Sequence, residues 1–361
     1  SVSLTGSQDS KQNSNRTNQI GAALPDTNNE TATQSISIDQ KVFQGFQGYN
    51  SIKKSRLESS QAALQLKNTE QKILLQSAIA YYDLAYKTKN TKFNLANVDL
   101  FERQVESDSA RLQKGEITLT DLAQSESSLA GANAKFIAAK TELLTAKSNF
   151  ERIIRLPAPK TIIKNNFIKD VILNFPKNLN AAFTFSEKNN PKLLLAKIDY
   201  KISKKNVDIE KSKFSPSASV KYTQSQNKDF SSSINETDEE TLKATVTIPI
   251  FKGGKNYSSL KKLKFKKEQS NLLLQDTINE VKTDTANSWS TYQSSEGVLK
   301  ATQAQVNAAE IANEGITLEY DSGNTRTTLE VIQSRSLLLD ARISNAKAER
   351  DFAVSKFELL S

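Results

Sequence analysis

The chain is two copies of one unit, and that duplication limits its fold more than any other feature. Val42-Phe43-Gln44-Gly45 recurs as Ile250-Phe251-Lys252-Gly253, an offset of 208. The same offset carries Tyr81 onto Trp289, Leu112 onto Tyr320 and Gly115 onto Gly323. Beyond that glycine Asn324 is inserted. The offset becomes 209 and carries Thr118 onto Thr327, Asp121 onto Glu330, Leu129 onto Leu338 and Ala139 onto Ala348. An offset held over ~100 residues reports duplication of a whole supersecondary unit, so an account of one copy must serve for both.

Each copy opens with strand-like alternation. Ile36, Ile38 and Val42 in the first copy, and Ala244, Val246, Ile248 and Ile250 in the second, stand at even positions with mostly polar residues between. That period of two predicts a sheet with one dry and one wet face. Residues 1–5 and 217–222 supply partner strands, and the polar stretches 9–33 and 224–241 between partners are expected to be long loops. Pro249 would leave a ladder bond unmade inside a strand and is expected where the strand bends into a helix.

After Gly48 and Gly254 the pattern turns helical. Proline is absent from 49–156 and from 251–361, and the whole chain holds seven prolines and eleven glycines in 361 residues. A helix over 49–114 would be ~100 Å long at 1.5 Å per residue, and only packing along other helices stabilises such a rod. The returning helix shows the seam. Leu122, Leu129, Phe136, Leu143 and Phe150 recur every seven residues, with Ser125, Ala132, Ala139 and Ala146 three places on. The second copy repeats it with Val331, Leu338, Asn345, Phe352 and Leu359 against Ser334, Ala341, Ala348 and Ser355. Large residues facing small ones at a/d spacing predict close coiled-coil packing. Tyr81 and Trp289 are expected to be packing aromatics on the long helices.

A further helix is expected over 190–214, opened by Asn190-Pro191. Stacked end to end with the first returning helix, it would match the long rod in length. Its counterpart ahead of residue 1 is missing, which predicts a chain that is truncated or begins after processing.

Composition narrows the function. With no Cys and no His, thiol and imidazole catalysis, disulfides, zinc and haem sites are all excluded. No catalytic constellation, cofactor or metal site is expected. Lys+Arg 49 against Asp+Glu 40 gives +9, and the run Lys261-Lys262-Leu263-Lys264-Phe265-Lys266-Lys267 is read as a solvated helix face rather than a nucleic-acid site. Gly253-Gly254 is followed by Lys255 and then Asn256, so it lacks the Ser/Thr that follows the Lys of a phosphate-binding loop. No apolar run approaches the ~20 residues of a membrane-crossing helix, so entry into a bilayer would have to be by strands. Four strands cannot close a barrel, and open edges do not survive in lipid. A cyclic trimer would supply twelve and leave a lumen, whereas a dimer would give eight and a filled interior.

These pieces resemble the TolC-type outer-membrane efflux family over essentially the whole chain. The matching residues are Asn190-Pro191-Lys192-Leu193 with Phe214-Ser215-Pro216-Ser217, then Ile248-Pro249-Ile250-Phe251-Lys252-Gly253-Gly254. Lys114-Gly115 with Thr120-Asp121-Leu122, and Gly323-Asn324-Thr325-Arg326-Thr327 with Glu330-Val331, complete the set. The resemblance implies a mainly α chain with a small β part, assembled as a trimeric twelve-stranded outer-membrane barrel that continues into a periplasmic helical barrel. It divides the chain into a first transmembrane strand pair (1–45), first helical hairpin (46–156), equatorial segment (157–189), short stacked helix (190–215), second strand pair (216–252) and second hairpin (253–361). It implies a passive exit duct of an efflux or type I secretion system, partnered by a periplasmic adaptor and an inner-membrane transporter. A periplasmic adaptor or a coiled-coil scaffold is the alternative.

Both hairpin tips carry a glycine, Gly115 and Gly323, suited to a left-handed turn and, by resemblance, to adaptor docking. Thr118-x-x-Asp121 and Thr327-x-x-Glu330 read as capping boxes. By resemblance, Asp121 would instead bond Tyr320 and Arg326 of the second hairpin, with Thr120 assisting, and so hold the tunnel closed. By resemblance, Glu330 and Gln333 would take the positions of a constriction ring, and the second is neutral, which disfavours strong cation binding.

Overall fold

The computed structural model describes residues 1–159, 175–231, 234–322 and 326–361. The tip residues Gly323, Asn324 and Thr325, and 160–174 of the expected equatorial segment, lie outside the described residues. Contacts divide the chain into two units, 1–62 with 196–274 and 63–195 with 275–361.

The first unit is built on a four-stranded antiparallel sheet. Its strands are β1 (Val2–Asn13), β4 (Thr27–Gln44), β5 (Ser217–Ser231) and β6 (Ile234–Thr247), in that spatial order. The short strands β2 (Arg16–Thr17) and β3 (Ala23–Leu24) pair separately at the tip of the β1–β4 hairpin. The stretches expected as long loops are mostly strand. β1 continues to Asn13 and β4 begins at Thr27, while β5 runs to Ser231 against a β6 that begins at Ile234. Polarity was the misleading signal, because ladder bonds need no apolar side chains where both faces are wet. β6 ends at Thr247, two residues before Pro249.

Register places the side chains in two contrasting rows. Val2, Ile38, Tyr222 and Leu242 lie opposite one another across all four strands, and Ser3, Ser37, Thr223 and Thr241 form the next row on the other face. Ser3 Oγ and Ser37 Oγ are 2.8 Å apart. The apolar face has no cover: Val2, Leu4, Leu242 and Val246 are each about 70–80% exposed. A sheet must bury its apolar face against something, and among the described residues of this unit nothing does so.

All helices of the unit join the end of the sheet marked by the row Gln44, Ser217 and Thr247. Gly45 (φ +55°) and Phe46 (φ +66°) turn β4 into α1 (Gln47–Gln113), and Gly253 (φ +56°) and Gly254 (φ +77°) turn the second copy into α5 (Lys255–Asp321). The duplication thus extends to a pair of consecutive left-handed residues. Gly45 is further constrained because a Cβ there would lie 2.4 Å from Ser215 Cβ. Between them runs α4 (Pro191–Ser212), tied to α1 by Lys205 Nζ donating to Asn50 Oδ1 (3.2 Å) and Gln61 Nε2 to Asp199 Oδ1 (2.5 Å).

The second unit is helical. α2 (Leu119–Ile154) returns beside α1, and α6 (Thr328–Leu360) beside α5. An 11-residue helix, α3 (Leu179–Asn189), occupies the end of the expected equatorial segment, capped by Asn178 Oδ1 accepting from the Ala181 amide. The heptad seam is present with an asymmetry. Its small members Ser125, Ala132, Ala139, Ala146, Ser334, Ala341, Ala348 and Ser355 are all buried, whereas of the large members only Phe150, Val331 and Leu338 are, and Leu122, Leu129, Phe136, Leu143, Phe352 and Leu359 are half-buried. Helices therefore approach closest along the small-residue row, and the larger side chains flank it. Val98, Phe101, Ala132 and Ile332 form one core that joins the first hairpin to α6. Leu84, Ala146 and Phe150 form another, with Tyr81 packed on it. Trp289 lies 5.8 Å from the Tyr292 ring, which stacks on Phe352 at 5.7 Å.

Candidate functional site

The candidate residues gather at the end of the helical unit where the hairpins turn. α1 ends in a Schellman turn. Gly115 (φ +74°) donates its amide to Leu112 O (2.9 Å), and the Glu116 amide reaches Arg111 O (2.9 Å). Three residues on, Thr118 caps α2: the Asp121 amide donates to Thr118 Oγ1 (3.3 Å), while Asp121 Oδ2 accepts from Thr118 N (2.9 Å) and Oγ1 (2.7 Å). Those bonds hold the Asp121 carboxyl below its usual pKa. The second copy matches it. The Glu330 amide donates to Thr327 Oγ1 (3.3 Å), and Glu330 Oε2 accepts from Thr327 N (2.8 Å). The Thr327 amide bond, then Arg326, lowers the Glu330 pKa.

Within the chain the tip residues therefore have partners other than those the resemblance implies. Asp121 serves its own cap. Arg326 donates from Nε to Glu319 Oε2 (2.6 Å) and from Nη1 to Glu330 Oε1 (3.0 Å), both on its own hairpin. Among the described residues no hydrogen bond joins Asp121 to Tyr320 or Arg326. Thr120 is exposed, as is Gln333, which lines a shallow groove of about 210 Å³ with Ala309, Ala312, Ile316, Glu330 and Leu337.

Tyr320 has the most informative position. It is buried, and its hydroxyl donates to Asp108 Oδ1 (2.9 Å), a fully buried carboxylate on α1. Asp108 Oδ1 also accepts from Gln104 Nε2 (2.9 Å), and Oδ2 from Ser125 Oγ (2.5 Å). Arg335 of α6 completes the cluster, donating from Nη1 to Gln104 Oε1 (3.0 Å), and Thr328 Oγ1 lies 3.1 Å from the Tyr320 hydroxyl. The Arg111 guanidinium sits 4.7 Å from the Tyr320 ring centroid. Burial, reinforced by Asp108, raises the Tyr320 pKa, and burial lowers that of Arg335. A buried carboxylate is tolerated only when its lone pairs are filled, and three donors from three helices fill them here.

Asp108, Gln104 and Arg335 escaped the sequence reading, which named Tyr320 and Ser125 but not the carboxylate they meet. The available signal was Ser125, a hydroxyl in the otherwise all-Ala small row of the first hairpin. Its counterpart Ser334 likewise has a polar partner, Asn313 Oδ1 at 3.1 Å. Among the described residues no group of three or more His, Cys, Asp or Glu side chains could hold a metal ion.

A strand pair and a helical hairpin, each present twice, with the apolar sheet face uncovered, make this chain similar to outer-membrane efflux proteins. Residues 186–360 match the family model described as outer membrane efflux protein. The chain is 25% identical over 333 residues to outer membrane efflux protein BepC of Brucella suis, covering 92% of this chain and 72% of that protein. It is 22% identical over 329 residues to outer membrane protein TolC of Vibrio cholerae, covering 90% and 74%. The solved outer membrane protein VceC of Vibrio cholerae superposes with a TM-score of 0.79 at 16% identity, over 100% of this chain and 85% of that one, which establishes the fold. Together these matches support membership of the TolC-type outer-membrane efflux family.

Proposed function

We propose that this chain is one third of a passive exit duct in the outer membrane, opening into the periplasm and serving an efflux or type I secretion system. The observation that carries the reading is the sheet: four strands with edges at β1 and β6, an uncovered apolar face and a Ser/Thr face behind it. Lipid covers an apolar face but cannot satisfy an open edge, so β1 of one copy must pair with β6 of the next. Three copies close a twelve-stranded ring whose Ser/Thr face lines a wet bore.

The helical hairpins form the periplasmic tunnel, and their tips, the first turning at Gly115, meet a periplasmic adaptor and, through it, an inner-membrane transporter. Family membership supports these partners. Opening is an outward, iris-like movement of the second hairpin relative to the first. Within a protomer the hold on that movement is the Asp108–Tyr320 node. Thr120, Asp121, Arg326, Glu330 and Gln333 line the mouth, where Asp121 and Arg326 of neighbouring copies latch the closed state. No catalytic step is involved.

Planar-bilayer recording tests the reading. Purified protein is expected to insert from detergent and give discrete conductance steps. A chain that is monomeric without detergent and produces no steps contradicts it.

A further inference from the structure

The positive charge of the chain is concentrated in one place. Over 45–62, 196–216 and 252–274, the helical part of the sheet-bearing unit, sixteen Lys and Arg face five Asp and Glu, a net +11. The whole chain is +9, so every other residue together is slightly acidic. This surplus borders the end of the sheet where the helices join it.

The acids in this zone are engaged. Glu58 pairs with Lys54 (3.4 Å), Asp208 with Lys205 (2.9 Å) and Glu210 with Lys213 (2.8 Å). Asp199 accepts from Gln61 (2.5 Å), and Glu268 lies 3.5 Å from the Asn271 amide nitrogen. Lys252, Lys255, Lys261, Lys262, Lys264 and Lys266 are exposed and make no ion pair among the described residues. The Cα–Cβ bonds of a helix tilt toward its N-terminus, so on α5, which leads away from the sheet, these lysines lean back toward the sheet end. Lys266 lies 11 residues from the helix start, ~17 Å along the axis, and the others are nearer.

At the end of the apolar rows, beside the first of the lysines, stands an aromatic band. Phe46, Phe251 and Tyr257 are 70%, 83% and 69% exposed, and Phe43 meets Phe46 edge-on at 5.9 Å. Exposed rings between an apolar face and a field of cations are the side-chain order of a membrane–water interface.

We propose that this basic collar binds anionic glycerophospholipid headgroups, drawing them to the leaflet reached by the helix-bearing end of the sheet. The proposal rests on the reading of the sheet as membrane-embedded. Phosphate diesters supply the negative charge the collar lacks, and the rings beside it seat the glycerol level of the same lipids. The collar therefore fixes the height at which the barrel rides in its bilayer.

The test uses the full chain reconstituted in vesicles of phosphatidylethanolamine and phosphatidylglycerol at 7:3, scored only in preparations whose conductance shows insertion. Spin-labelled lipids then report which headgroup contacts the protein. The expected result is a preference for phosphatidylglycerol on the order of fivefold at 0.05 M NaCl that falls toward one at 0.5 M, as surface charges are screened. The six-lysine variant with Lys252, Lys255, Lys261, Lys262, Lys264 and Lys266 changed to Gln loses the preference at both salts, and the Lys→Arg set retains it. Conducting wild-type protein with no preference overturns the collar while leaving the duct intact, as does a preference the Gln set keeps. Co-sedimentation of the wild type with purified cell-wall sacculi, without lipid preference, assigns the charge to the wall instead. Failure to insert at all overturns the membrane reading and the collar with it.

Discussion

The Tyr320 hydroxyl donates a 2.9 Å hydrogen bond to Asp108 Oδ1 across 212 residues of sequence, joining the second hairpin to the first at a buried carboxylate. This bond is one contact between the duplicated halves that sequence periodicity did not reveal.

Tyr320→Phe removes one of three donors to Asp108 and keeps the ring under Arg111. It is expected to cost about 1 kcal/mol, and Asp108→Ala about 3 kcal/mol, because the latter strands buried donors on three helices. Calorimetry of the detergent-solubilised protein measures both. Equal effects would show that Asp108 is not the hub. In bilayers both variants are expected to raise the open fraction, and unchanged conductance with a lowered melting temperature would confine the node to stability.

The two capping boxes give the tip an acid sensitivity. The folded pKa values of Asp121 and Glu330 lie below their ordinary values of 3.8 and 4.5. Their stabilising effect is therefore complete above about pH 4.5 and is lost as the pH falls through the lowered folded values. Protection factors at residues 118–122 and 327–331, after division by the intrinsic exchange rate, should fall between pH 5 and 3. The Asp121→Asn variant should lose that dependence at the first tip only.

At alkaline pH the sign reverses. The Tyr320 pKa is raised above 10.0, chiefly by burial, so its contribution is full below pH 10 and is lost as the pH climbs through the raised value. Ultraviolet titration should show one late-ionising tyrosine fewer in Tyr320→Phe. An identical curve for both proteins contradicts the assignment.

Three glycines should respond differently to alanine. Gly45→Ala meets Ser215 Cβ at 2.4 Å and Ser212 O at 2.8 Å with φ +55°, and is expected to prevent assembly or cost several kcal/mol. Gly115→Ala has open space and carries only the left-handed penalty, about 1 kcal/mol. Gly48→Ala, in the first helical turn with open space, should be neutral or stabilise by about 0.5 kcal/mol. Melting temperatures in that order check the set.

Much of this structure was legible before any coordinate. The offset of 208, the missing prolines and the Leu122–Leu129–Phe136 spacing foretell two hairpins, because helix period and duplication are local, repeated signals. The strands' polar extensions were not, since residues 27–35 lie above the apolar rows, where neither face is dry and alternation vanishes. α3 was hidden in a short stretch without heptad support. The Asp108 node was hidden for another reason. It joins residues from four helices, and no pattern along one chain segment records which carboxylate a distant tyrosine will meet.

The central claim is that β1 of one copy pairs with β6 of another. Within a chain β1 and β6 are separated by two strands, about 14 Å, beyond the reach of a disulfide. The protein has no cysteine of its own, so cysteines at Leu4 and in turn at Glu240, Leu242, Ala244 and Val246 can bond only between copies. Oxidation in the membrane followed by a denaturing gel is the decisive measurement. The account predicts a ladder that stops at three times the 40.0 kDa chain, for one or two of the pairs. Monomer throughout, or a ladder without a limit, contradicts it.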